Sequence, residues 1–330
     1  MRRLRICGKG HVEIETVPDP SPASGEVLIQ TAVSAICGSE LHEYRNDGLP
    51  AGNGGHEAVG TVVALGKGVS GLEPGQRVGV SAIAGCGKCG ECAKGRYTWC
   101  KQWRFYGNMH AERFVAAALA CHRLPDDIAW DAGALITGDG LGVPYHTAAK
   151  LAADPGKTVA VFGAGPIGLG NILMQKHMGR EVIAIDISAV RIEHARRMGA
   201  SVALNPQQSD VVGEIRARSG GEGADICMEC AGRKETLLQC LEAVRTGGTV
   251  MLNGEQGALP LSPSDHFIRR DISVRGAWFY HFSEFSEMLR LVRNGLDAAA
   301  LISDRYPFAN AQEAYAKFAR GETAKVILEY

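Results

Sequence analysis

Two textures of apolar and polar residues follow one another along the 330 residues. Up to about residue 150, short stretches mix β-branched residues with alternation: VEIETV, EVLIQTAV, GTVVAL and QRVGVSA. A period of two predicts half-buried strands, and PDPSPASGE and the glycine-rich joins between them predict turns. From about Lys157 the strands become short continuous apolar runs, TVAVF, EVIAID, ADICMEC and GTVMLN, separated by helical stretches such as GLGNILMQKHMG and SAVRIEHARRMG. Strands alternating with helices predict βαβ units and a parallel sheet. ISVRGAW reads as the last strand of that sheet, FSEFSEMLRLVRNG as an amphipathic helix and KVILEY as a closing strand. No internal repeat or low-complexity segment interrupts this order.

Composition narrows the picture only a little. Apolar residues make up 45% and charged residues 22%, enough for ordinary cores and without a disordered signature. The formal net charge is −1, so no basic field exists to attract nucleic acid or an anionic membrane. The arginines of MRRLRICGKGHVEIETV precede no apolar run, and nowhere do about 18 apolar residues run unbroken. The expectation is a soluble, cytoplasmic protein without a signal peptide. The cysteines change the picture more. Of the ten, Cys86, Cys89, Cys92 and Cys100 crowd into one short segment, while Cys7, Cys37, Cys121, Cys227, Cys230 and Cys240 are scattered. A disulfide framework would be short and spread its cysteines throughout, whereas a tight cluster in a long chain points to metal.

Five stretches carry candidate chemistry. GAGPIG, residues 163–168, follows the strand TVAVF and opens a helix. There Gly163 makes the tight turn, Gly165 admits a pyrophosphate to the backbone and Gly168 lets helix and strand approach. Pro166 and Ile167 complete the turn, and the helix N-terminus faces the phosphates. Asp186 ends the next strand, about 20 residues on, where an acid bonds the ribose hydroxyls of NAD. NAD is expected over NADP, with Arg191 the nearby cation that a 2′-phosphate would use. The second stretch, CGKCGECAKGRYTWC, spaces its four cysteines to close a tetrahedron round a structural zinc with no position left open. In the third, ICGSELH with GGHE, Cys37 and His56 are ligands of the softness zinc prefers, and Ser39, His42 and Glu57 stand beside them. Cys227 and Cys230 form a C-x-x-C whose odd spacing puts them on opposite faces of a strand, so they read as ordinary small strand residues. TGDGLG, residues 137–142, reads as a glycine loop, yet it holds Asp139 where a phosphate loop would want bare N–H groups or a lysine.

Together these residues resemble the zinc-dependent medium-chain alcohol and polyol dehydrogenases, in the branch of the threonine and sorbitol dehydrogenases. CGSELH is similar to the family's C-G-[ST]-D-x-H, GHE recurs as such, and the four-cysteine segment has the family spacing. GAGPIG with Asp186 resembles its NAD-binding half, and FANAQEAYAKFARGETAKVILEY its usual end. The resemblance implies an α/β chain. A GroES-like, β-rich catalytic domain would cover residues 1–150 and 278–330, with a structural-zinc lobe at 85–101. A Rossmann domain with a doubly wound parallel sheet would cover 151–277. It also implies two zinc ions per chain. Cys37 and His56 would hold the catalytic one, and Glu57 resembles the glutamate that sits behind it and can replace water on it. Ser39 would take the substrate hydroxyl proton and pass it on through the nicotinamide ribose to His42, and Asn253 would contact the cofactor. Glu40 stands where the family usually has an aspartate that orients the ligand histidine. In threonine- and polyol-type members an acid in a D-x-x-G-x-x-x-H-T pattern supplies the third ligand. Asp139, Gly142, His146 and Thr147 stand at that spacing, so the resemblance assigns Asp139 to zinc.

The implied activity is reversible oxidation of a secondary alcohol (a polyol, sugar, aminocyclitol or amino alcohol) to its ketone with NAD, by a homodimer or homotetramer. A zinc-free quinone or enoyl reductase of the same fold is the rival enzyme, and Cys37, His56, Asp139 and the four-cysteine segment speak against it. A crystallin-like, non-catalytic binding protein is the other rival, and it would have no need of Ser39 and His42. Tyr44, Trp103, Arg104, Tyr106, Asn108 and His110 either line a polar, aromatic substrate pocket or simply pack the lobe.

Overall fold

The longest strand, Glu26–Ile36, forms because β-branched and apolar residues dominate EVLIQTAVSAI, and it becomes the hub of a seven-stranded sheet. It pairs antiparallel with Ala58–Leu65, Lys325–Glu329 and Arg113–Ala117. Ile302–Pro307 extends the sheet beyond Lys325–Glu329, and Arg77–Val80 and then Cys121–Arg123 extend it on the other side. One core lies between this sheet, the hairpin Arg2–Gly8/His11–Thr16 and the helix Ala311–Ala319, with Leu4, Ile6, Ile36, Tyr315, Phe318 and Leu328 buried in it. A second holds Val27, Ile29, Val62, Val78, Met109 and Phe114.

The computed structural model describes residues 1–330, and these divide into Met1–Gly142 with Phe279–Tyr330, and Val143–Trp278. The division falls inside the helix Asp139–Lys150 rather than after it. In the second unit six strands run parallel in the order Val202–Leu204, Glu181–Ile185, Thr158–Phe162, Ala224–Glu229, Val244–Leu252, Ser273–Gly276. Chain order reverses between Thr158–Phe162 and Ala224–Glu229, the switch point outside which doubly wound sheets bind ligands. The apolar runs are buried because helices cover the sheet, as Phe162, Ile183, Ile215, Leu241 and Val250 in one cluster show. Cys227 belongs to that cluster on its strand, Cys230 lies past the strand end, and both are free thiols. No helix is long and apolar enough to cross a membrane.

Candidate metal centre and cofactor loop

Three separate segments deliver the donors of one buried cluster. Cys37 precedes the short turn Gly38–Glu40, His56 and Glu57 lead into the strand Ala58–Leu65, and Asp139 begins the helix Asp139–Lys150. One donor atom from each of Cys37, His56, Glu57 and Asp139 lies within 4.8 Å of the others, and all four residues are buried. TGDGLG is therefore not a loop throughout. The helix Trp130–Thr137 stops at Gly138, which is extended, and a new helix starts at Asp139. A carboxylate in a first helical turn is stabilised by the N-terminal end of the helix dipole. Gly138 is required by close approach, since a Cβ there would lie 2.7 Å from both Ala134 O and Glu57 Oε2.

Asp139 Oδ2 lies 3.0 Å from His56 Nε2 and 3.7 Å from Cys37 Sγ. Its other oxygen, Oδ1, is buried without any hydrogen-bond partner. A buried carboxylate oxygen left in that state costs about 1–3 kcal/mol or more, and a divalent cation among a thiolate, an imidazole and a carboxylate would satisfy it. The donor set suits zinc, and three ligands leave a fourth position for exchange. His56 is aimed by its other nitrogen, Nδ1, 2.8 Å from Gly54 O. Burial disfavours the His56 charge, but Cys37 and Asp139 raise its pKa well above the usual imidazole value.

The two glutamates nearby are each held in part by a residue that no sequence motif marks, Lys325 for Glu57 and Tyr315 for Glu40. Glu57 pairs with Lys325 through Oε1 and accepts the Gly140 N–H at Oε2 (3.1 Å), and both side chains are almost wholly buried. Burial opposes the Lys325 charge, but the Glu57 carboxylate keeps its pKa above the ordinary value. In this arrangement Glu57 is occupied by its lysine, while Asp139 carries the open oxygen. Glu40 accepts from Cys37 N–H (2.9 Å), Tyr315 O–H (2.6 Å) and His110 Nε2 (3.2 Å). Burial works against its charge, yet His110 above all, with His56 and Tyr315, holds the Glu40 carboxyl down to about 2. The longer side chain thus fixes the Cys37 backbone and makes no hydrogen bond to His56. His110 is in turn tied to Ser34 Oγ (2.8 Å), which meets Tyr330 O–H at 2.9 Å.

Ser39 and His42 lie one turn apart at the start of this segment, and both are exposed. Of the pocket candidates, Tyr44 and His110 are buried, Tyr106 donates to Glu26, and Asn108 accepts from Asn53 N–H. Tyr44, Tyr106 and His110 thus pack the domain, while Asn108 is exposed. The aromatic rings beside the cluster are others: Phe105 at 5.5 Å and Phe279 at 5.9 Å from the His56 ring. Phe279 has a φ of +52°, a costly conformation for an aromatic residue. Neither ring stands out in the sequence by periodicity.

The four-cysteine segment folds into a second set. Donors of Cys86, Cys89, Cys92 and Cys100 lie within 4.8 Å of one another, with Sγ–Sγ distances of 3.9 Å (Cys86–Cys92) and 3.5 Å (Cys89–Cys92). Four thiolates about 2.3 Å from a tetrahedral zinc would stand roughly 3.8 Å apart. Backbone N–H groups of Cys86 and Gln102 point at Cys100 Sγ (3.3 and 3.4 Å), as donors that orient a thiolate do. The Lys88 backbone N–H brings the Cys86 thiol down to about 6, while burial pushes Cys92 up to about 12.

In the second unit the 163–168 turn has the geometry its glycines imply. Gly163 has φ +94°, and a Cβ on Gly168 would stand 1.8 Å from Gly163 O, so only glycine lets the helix Pro166–His177 start so close to the strand. Gly165 is the N-cap, with Pro166 and Ile167 as the first helical residues. Asp186 accepts the Ala164 N–H (2.7 Å) and the Ser188 N–H (2.8 Å), which holds its carboxylate beside the turn. Arg191 also reaches this place, its Nη1 lying 3.9 Å from where a Gly165 Cβ would be. Asn253 braces the unit from within, donating to Thr147 Oγ1 (2.8 Å) and accepting from Asn171 (3.3 Å).

Comparison with known proteins agrees with both halves. The family model described as "Alcohol dehydrogenase GroES-like domain" matches residues 23–126, and that described as "Zinc-binding dehydrogenase" matches residues 166–294. The chain is 30% identical to a sorbitol dehydrogenase of Bacillus subtilis over 92% of its length and 89% of that protein. It is 33% identical to an L-threonine 3-dehydrogenase of Pyrococcus horikoshii, over 96% and 94% of the two chains. Among solved structures, an alcohol dehydrogenase from Thermus sp. ATN1 superposes with a TM-score of 0.90 at 29% identity, covering 100% of this chain and 99% of that one.

Proposed function

This chain belongs to the zinc-dependent medium-chain alcohol and polyol dehydrogenases, and from that premise we propose that it oxidises a secondary alcohol of the polyol or amino-alcohol class with NAD. It is an oxidoreductase that uses zinc and a nicotinamide cofactor. The finer reading places a catalytic zinc on Cys37, His56 and Asp139 and a structural zinc on Cys86, Cys89, Cys92 and Cys100. The observation that carries it is the partnerless, buried Asp139 Oδ1 beside a thiol and an imidazole.

When bound, the metal acts as a Lewis acid that lowers the pKa of an alcohol, and the nicotinamide ring accepts the hydride. The chain's own residues set the conditions for that chemistry. Cys37 and Asp139 together carry two negative charges, which offset a divalent cation and leave the site formally neutral. Gly54 O fixes the His56 tautomer so that Nε2 is the ligating nitrogen. Ser39, exposed next to Cys37, receives the hydroxyl proton, and His42 one turn on releases it to solvent. Phe105 and Phe279 give the carbon skeleton of the substrate an apolar surface beside His56. Lys325 keeps Glu57 off the metal while the substrate position is in use.

The preference for NAD rests on Asp186, whose carboxylate suits a ribose diol and repels a 2′-phosphate. The substrate class rests on the sorbitol and threonine dehydrogenases among the relatives. A homodimer or homotetramer completes the proposal, supported by the edge strand Ser273–Gly276, whose residues are all exposed, and the cytoplasm is its proposed location. The test is NADH production by the reduced, zinc-loaded protein over a panel of polyols, vicinal diols and β-hydroxy amino acids. Turnover with at least one of them, lost on chelation and restored by zinc, is expected. Metal-independent reduction of quinones or enones, with no alcohol oxidised, would contradict the reading.

A further inference from the structure

The hairpin Arg2–Gly8/His11–Thr16 carries a donor cluster that the dehydrogenase chemistry does not use. Its register pairs Arg5 with Glu13, Ile6 with Val12 and Gly8 with His11, and it skips Cys7, which is the bulged residue. Alternation sends Leu4, Ile6 and Val12 into the core and leaves Cys7, His11 and Glu13 facing outward, half-buried or exposed. A bulge re-aims the side chain it carries. The joining turn is left-handed throughout, with φ +83° at Gly8, +54° at Lys9 and +79° at Gly10. It is also pinned: Lys9 N–H donates to Asn46 O (2.7 Å), Gly10 N–H to Tyr44 O (2.8 Å), and a Cβ on Gly8 would lie 2.4 Å from Asn46 O. A rigid turn thus holds one donor atom each of Cys7, His11 and Glu13 within 4.8 Å of one another.

We propose that this hairpin is a separate binding site for a divalent cation of the zinc type, ligated by Cys7 Sγ, a His11 ring nitrogen and a Glu13 carboxylate oxygen, with water completing the shell. A thiolate with an imidazole selects zinc over magnesium or calcium, and three ligands with an open position is an arrangement zinc accepts. Little has to be given up. Cys7 Sγ makes a long contact to Arg5 O (3.8 Å) and already has the Glu13 carboxylate beside it, and Glu13 leaves an exposed ion pair with Arg5 at 3.3 Å, which contributes little in water. Binding exchanges the thiol proton for the metal, so one proton is released to buffer per ion bound. The site is independent of the assignment of Cys37, His56 and Asp139.

The test is a zinc titration of the full-length, reduced, zinc-loaded protein after dialysis to remove loosely held metal, with a chromophoric chelator as competitor. Wild type should take up one equivalent more than Cys7→Ser or His11→Ala, or bind it at least about tenfold more tightly, since loss of even an outer partner of a metal ligand costs that much. Added zinc should raise the thermal midpoint of the wild type and not of the variants, while alcohol oxidation without added zinc stays equal in all three. No additional uptake by the wild type, or the same uptake by Cys7→Ser and His11→Ala, would overturn the proposal.

Discussion

Glu57 is wholly buried and meets one cation, Lys325, and one backbone donor, Gly140 N–H. Removing one member of such a pair is far more damaging than replacing both, because the survivor is left charged in a low dielectric. Lys325→Met should therefore lower unfolding stability by about 3–5 kcal/mol, and adding Glu57→Gln to it should recover most of that loss. Urea unfolding of the two single variants and the double decides the matter; a double variant no better than Lys325→Met alone would show the pair is not what matters there. Glu40 offers a second residue-scale test. Its arm spans Cys37 N–H, His110 and Tyr315 at once, and the shorter Glu40→Asp side chain cannot keep all three. The variant should lose about 1–3 kcal/mol and release zinc faster, because the Cys37 backbone is no longer held. Unchanged stability and an unchanged zinc off-rate would remove Glu40 from the metal's support.

At the scale of elements, the strand Cys121–Arg123 holds His122 in a stack, 3.9 Å from the Phe282 ring and 4.2 Å from Phe285, with Nε2 3.1 Å from Tyr280 Oη. Burial pushes its pKa from 6.5 down to about 3. Above pH 6.5 the ring is neutral folded or unfolded and costs nothing. Below it the unfolded chain binds a proton that the folded one refuses, so stability falls until about pH 3. Between pH 6.5 and 5 that is roughly 2 kcal/mol, and His122→Phe should show an acid limb shallower by this amount. Equal slopes from pH-dependent denaturation would contradict it. The four-cysteine lobe makes the companion prediction: Cys92→Ser should cost zinc and lower the thermal midpoint more than it slows turnover, since a closed zinc site contributes folding free energy. Full metal content with an unchanged midpoint would count against a structural role. Legibility also differed by element. The parallel strands and GAGPIG were readable because local chemistry decides them. RRLRICG hid a strand, since arginines occupy its outer positions while Leu4 and Ile6 alternate inward. TGDGLG hid a helix start, because its glycines answer to Glu57, Leu135 and Tyr280 packed against them, contacts that local sequence does not contain. Lys325, Tyr315 and Phe279 meet Glu57, Glu40 and His56 only through tertiary structure, and no spacing rule marks them.

For the whole molecule, the donors proposed for the catalytic metal are far apart in sequence: 102 positions separate Cys37 from Asp139 and 83 separate His56 from Asp139. The cluster exists only once the unit Met1–Gly142 with Phe279–Tyr330 has folded, so metal affinity there reports on the fold as a whole. Cofactor choice belongs to the other unit and can be tested separately. Asp186→Ser should narrow the preference for NAD over NADP in kcat/KM, and an unaltered wild-type ratio would remove Asp186 from cofactor selection. The central claim, that Asp139 is a ligand of the catalytic zinc, is tested most directly by metal analysis of Asp139→Asn beside the wild type. The substitution removes one negative charge and leaves a weaker donor next to Cys37 and His56. Zinc should fall from about two ions per chain towards one, the four-cysteine ion being retained, and alcohol oxidation should fall with it. Partial zinc retention with poor turnover fits as well, because Glu57 lies within reach. Asp139→Asn with its full zinc and wild-type turnover would contradict the account.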